Sequence, residues 1–132
     1  MEQDLDNLIP KVLIRKFVKN IIDLLKNEKA ENIVFIDAEG GSNFTDYLII
    51  CQGNSQTHCR SIAKNLEYNM KNNGHNSLGI EGEREGNWVL LDFGEIILHI
   101  FHPEIRKYYN IEKLHTNQLL LDCQKNQDTS KS

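Results

Sequence analysis

The chain has 132 residues, 39% hydrophobic and 26% charged, a length and apolar content that predict one folded unit with a real core and exclude a disordered chain. No apolar run approaches the roughly 18 residues that span a bilayer, and the N-terminus MEQDLDNLIP carries acids where a signal peptide carries bases, so a cytoplasmic protein is expected. The formal net charge of −4 and the lack of a Lys/Arg cluster interleaved with aromatics argue against a phosphate backbone as first partner, and an acidic chain suits a basic protein instead.

Over residues 8–29, Val12, Leu13, Phe17, Val18, Ile21, Leu24 and Leu25 recur at three-and-four spacing, which predicts a first helix. The short β-branched runs 32–37 and 45–52 predict two buried strands, separated by a turn or short loop at EGGSN. Asn54 or Ser55 can cap a second helix, which carries Ile62, Ala63, Leu66 and Met70 and closes at Gly74. Three strands follow at 78–81, 88–93 and 96–101, and Gly94-Glu95 makes the last two a tight antiparallel hairpin. Pro103 suits the first turn of a third helix with Ile105, Tyr108 or Tyr109, and Leu114 on one side. Residues 122–132 are too polar to pack and are expected as a disordered tail behind a single domain over 1–121. The order α, β, β, α, β, β, β, α predicts an α/β (α+β) fold, a mixed five-stranded sheet covered by helices.

Several constellations invite chemistry. Gly53-Asn54-Ser55 between a strand and a helix resembles the Gly-Ser element of polymerase-β-type nucleotidyltransferases, whose metal site needs two carboxylates on one strand face. The nearest acids, Asp92 and Glu95, straddle a predicted turn, so a capped helix is the better account. His99 and His102, three apart near a strand end, point to opposite faces and cannot share a metal ion. Asp37 and Asp46 fit turn chemistry. Cys51, Cys59 and Cys123 lack metal-ligand spacing and fit reduced thiols, and nothing marks Cys51, Cys59 or Ser55 as a nucleophile. No metal site and no cofactor are expected.

Residues 81–95 (EGEREGNWVLLDFGE) are different: they hold five acids against one base, a local charge of −4, around the single tryptophan. On a strand, Trp88, Leu90 and Asp92 share one face while Val89, Leu91 and Phe93 share the other. If the second set enters the core, the first is presented outward as an aromatic ringed by carboxylates, suited to a basic partner. The alternative, Trp88 packed beneath the third helix, is equally compatible with the spacing.

GEREGNWVLLDFGEIILHIFHPEIRKYYNIEKL, preceded by TDYLIICQGNSQTHCRSIA, resembles the ribosomal silencing factor family (RsfS, also called Iojap) over about residues 13–115. The resemblance implies a nucleotidyltransferase-like fold without the catalytic carboxylates, and no enzymatic activity. It implies binding to the large ribosomal subunit at its intersubunit face through the basic ribosomal protein L fourteen, with no direct nucleic-acid contact required. Small-subunit joining would be blocked and translation repressed when nutrients are short. By position it implies partner-binding roles for Trp88, Leu90, Asp92, Glu95, His99, Arg106, Tyr109 and Glu112, with Arg106 orienting the last helix or pairing with an acid. His115 stands where the family often has a tryptophan. Two rival readings stay open: a nucleotidyltransferase-type enzyme using Ser55 and Asp92, and an interaction module for another basic protein. A homodimer of the free protein is also compatible with an apolar surface around Trp88.

Overall fold

Alternating apolar spacing and turn residues produce eight elements in the computed structural model, which describes residues 2–37 and 47–109, with side chains over 12–37 and 47–107. They are α1 (Glu2–Asn27), β1 (Glu31–Asp37), β2 (Tyr47–Gln52), α2 (Gln56–Asn72), β3 (Gly79–Glu81), β4 (Trp88–Asp92), β5 (Ile96–Phe101) and α3 (Pro103–Tyr109). The strands form one sheet in the order β1-β2-β5-β4-β3. Neighbours are antiparallel except β2 and β5, which run parallel because the chain crosses through α2 between them. The sheet is therefore mixed, as expected.

One face of the sheet packs against α1 and α2. Ile49, Cys51, Val89, Leu91, Leu98 and Ile100 project from it onto Val18, Ile21 and Leu25 of α1 and Ile62, Leu66 and Met70 of α2, all in one buried cluster. The other face carries a smaller cluster of Ile36, Leu48, Ile50 and Phe101, with Val34, Trp88, Ile97 and Ile105 of α3 packed against it. β1, β2, β4 and β5 thus serve both cores by simple alternation. Ser55 accepts the His58 amide at 3.0 Å and starts α2. At its far end His75 and Gly74 donate to the carbonyls of Met70 and Lys71, the paired bonds of a Schellman cap, with Gly74 at φ +91°.

Three expectations need correction. The strand over 32–37 is not buried: β1 is an edge strand in which Ile36 alone is fully covered, because only β2 flanks it. β3 spans only Gly79 to Glu81; Leu78 just before it is 74% exposed, although its amide still donates to the Asp92 carbonyl at 2.7 Å. The first helix begins at Glu2, and Val12 and Leu13 of its apolar stripe are 45% and 60% exposed. A 26-residue helix is about 39 Å long at ~1.5 Å per residue, while strands of six residues span only about 20 Å. The helix therefore overhangs the sheet. Asp46, Glu112, Leu114, His115, Cys123 and the tail expected at 122–132 lie outside the described residues.

Candidate functional site

Strand parity places Trp88, Leu90 and Asp92 on one face, half-buried, and sends Val89 and Leu91 fully into the core. Leu90 lies opposite His99 in the β4–β5 register, and Trp88 lies opposite Phe101. The indole Nε1–H of Trp88 donates to Nδ1 of His99 at 3.0 Å, and the indole packs on the Phe101 ring with centroids 4.9 Å apart. His99 is 5% exposed and stacks in turn on Phe101 at 6.0 Å with an interplanar angle of 10°. This fixes the ring: with Nδ1 accepting, an uncharged His99 carries its proton on Nε2. Trp88 packs with Ile105 of α3 against the second core, as the spacing allowed, and remains partly exposed.

The loop leading into Trp88 is held by α2. Gln56, Arg60 and Lys64, four residues apart along one side of that helix, meet it in turn. Gln56 donates to Asn87 Oδ1 at 2.7 Å, Arg60 reaches the carbonyls of Arg84 and Glu85 at 3.3 and 3.2 Å, and Lys64 pairs with Glu83 at 2.9 Å. That ion pair raises the pKa of Lys64, chiefly through its hydrogen bond to Glu83. Gly86, at φ +80°, lies so close to α2 that a Cβ there would stand 2.6 Å from the Gln56 carbonyl oxygen. Asn87 also accepts the His102 amide at 2.9 Å, tying this loop to the start of α3.

Arg106 is 8% exposed; its Nη1 donates to the Asn32 carbonyl at 2.7 Å and to Gln52 Oε1 at 3.3 Å. It thereby ties α3 to β1 and β2. Glu95 is exposed in the two-residue hairpin loop. Asp92 accepts the Gly94 amide at 2.7 Å, which is turn chemistry. Tyr109 is the last residue of α3. The structure thus brings Trp88, Leu90, Asp92, His99 and Arg106 to one side of the sheet and puts Glu95 at its hairpin end.

The elements of the enzyme reading do not assemble. Ser55 is spent on capping α2, Asp92 on the hairpin turn, and the two are on separate elements. Among the described residues no group of three His, Cys, Asp or Glu side chains gathers as a metal ion would require. Burial pushes the Cys51 thiol up to about 12 and raises that of Cys59, so neither is a thiolate nucleophile at neutral pH. His102 carries the start of α3: its carbonyl accepts the Ile105 and Arg106 amides. Sequence reasoning missed Phe101, Gln56 and Arg60 as supports of the Trp88 face. The i, i+4, i+8 polar row on α2 was visible, but its partner loop was not.

The sequence model described as "Ribosomal silencing factor during starvation" matches residues 13–132. The ribosomal silencing factor RsfS of Bacillus subtilis is 40% identical over 96 residues, 73% of this chain and 81% of the relative. The mouse protein named "Mitochondrial assembly of ribosomal large subunit protein 1" is 31% identical over 99 residues, 73% of this chain but 43% of its own length. A crystal structure of a Chromobacterium violaceum protein superposes with a TM-score of 0.75 at 29% identity, covering 77% of this chain and 85% of the other.

Proposed function

The chain belongs to the ribosomal silencing factor family, and from that premise we propose that it binds the large ribosomal subunit at its intersubunit face, through ribosomal protein L fourteen. Bound there, its bulk blocks joining of the small subunit and represses translation in nutrient limitation. The action is steric and needs no bond-making step. The observation that supports this most is the partly exposed Trp88, held by His99 on a face shared with Leu90 and Asp92. A rigid aromatic loses little conformational entropy on docking, and acids beside it suit a basic surface. That a mouse relative is named for assembly of the large ribosomal subunit supports the same particle as partner.

In this reading Trp88 and Leu90 make the apolar contact, and Asp92 and Glu95 meet basic side chains. His99 and Arg106 set the geometry from beneath, and Tyr109 and Glu112 are further contact residues in the proposal. Co-sedimentation of the purified chain with isolated large subunits tests it. At micromolar protein and moderate salt the chain pellets with the subunit. Trp88→Ala weakens pelleting on the order of 30-fold, as loss of a hot spot of about 2 kcal/mol requires. Glu95→Lys, at an exposed position that leaves the fold intact, weakens it severalfold and more so at low salt. Undiminished pelleting of both variants, with unchanged circular dichroism, sinks the surface assignment.

A further inference from the structure

We propose that the groove between α1 and the edge strand β1 is a second contact site, one that takes a single-stranded stretch of RNA. The ribosomal reading supplies the source of such RNA, but the chemistry of the groove is argued independently of it. The groove encloses about 680 Å³ and is lined by Arg15, Lys19 and Lys26 from α1 and by Phe35 and Tyr47 from β1 and β2. At about 100° per residue these three cations fall within roughly 40° of one another on the helix, in a row about 17 Å long. Such a row tracks successive phosphates of one strand. Beside it Phe35, 39% exposed, lies nearly parallel to Tyr47, with centroids 5.8 Å apart and an interplanar angle of 11°. A base stacks on the open side of such a ring whatever its identity.

Two carboxylates, Asp23 and Asp37, line the groove as well, and Lys19 meets Asp23 at 3.4 Å. Three cations against two acids make a modest field, so the contact is weak and salt-sensitive, as befits a secondary one. The local charge pattern favours it: α1 as a whole carries five bases against four acids, but its part from residue 12 to 27 carries four against one, while 81–95 carry five acids against one base. Charge is therefore unevenly spread, with an acidic segment that suits a basic protein and a locally basic later half of α1 that suits a polyanion. A ribosomal particle presents both.

Fluorescence anisotropy of a labelled 12-nucleotide oligouridylate, titrated with the full chain from about 50 mM salt upward, tests the site. Binding is expected to weaken with salt with a log–log slope near −2, about 0.7 for each of three cations. The combined variant Arg15→Glu/Lys19→Glu/Lys26→Glu loses at least tenfold in affinity, and Phe35→Ala loses about tenfold, the lower range for a base–aromatic stack. Trp88→Ala binds the oligomer as the wild type does. The proposal is overturned if the triple variant binds like wild type, if Trp88→Ala abolishes binding, or if polyglutamate of equal charge displaces the RNA as well as oligouridylate does. A wild-type chain that binds the oligomer through this groove but never pellets with large subunits leaves this site standing and removes the docking proposal. Pelleting without oligomer binding does the reverse.

Discussion

Trp88 shows how one side chain divides between two duties. Its indole N–H is satisfied by His99 and one ring face by Phe101, which leaves an oriented aromatic edge outward at little further entropic cost. Parity identified the face because β4 alternates strictly, but the hydrogen bond to His99 spans 11 residues and two strands, a relation that no local pattern contains. Cys51 is the opposite case, fully buried between β2 and the helices. Burial raises its folded-state pKa to about 12, with the Arg106 guanidinium opposing, against roughly 8.5 for an unfolded thiol. The unfolded chain therefore ionises first: this contribution to stability is complete below about pH 8.5 and declines as pH rises toward 12. Urea midpoints measured from pH 8 to 10 should fall with pH, and fall less steeply in Cys51→Ala. Equal slopes in the two proteins would refute the assignment.

Among the elements, the approach loop depends on glycine where α2 leaves no room. Gly86→Ala places a Cβ against the Gln56 carbonyl at a positive φ, two penalties that together cost about 2 kcal/mol or more. The loop should release Trp88, so the variant's single-tryptophan emission shifts to longer wavelength and its thermal midpoint drops by several degrees. An unchanged spectrum and midpoint would mean the loop is not clamped by α2. Helix ends were legible to different degrees. Ser55 and Gly74 announce both ends of α2. The end of α1 is masked by a lysine: Lys29 takes φ +62° while Ala30 and Lys29 donate to Leu25 and Lys26, the same Schellman pattern without its glycine. β1 was misjudged for a related reason, because its β-branched run reads the same at an edge as at a centre.

Across the whole molecule, β5 is the axis. It lies between β2 and β4, sends Ile96, Leu98 and Ile100 to the helical core, and sends His99 and Phe101 to the other face. Leu98→Ala should therefore cost about 2–5 kcal/mol in chemical denaturation, as buried leucine truncations do. Leu78→Ala, 74% exposed beside the same sheet, should stay within about 0.5 kcal/mol. A cost for Leu78 rivalling that for Leu98 would contradict this partition of the core. By itself the sequence determined the element order, the two alternating faces of β4, the region of the α2 caps, and the acidic segment around the tryptophan. All of these are set by interactions within a few residues. Tertiary structure decided which strand is the edge, that His99 holds Trp88, that α2 clamps the approach loop, and that Arg106 anchors α3. It also set Arg15, Lys19 and Lys26 beside Phe35 and Tyr47, where composition alone argued against a nucleic-acid contact. The hydrogen bonds among those relations join residues 11 to 74 positions apart, and only the folded backbone brings them within reach.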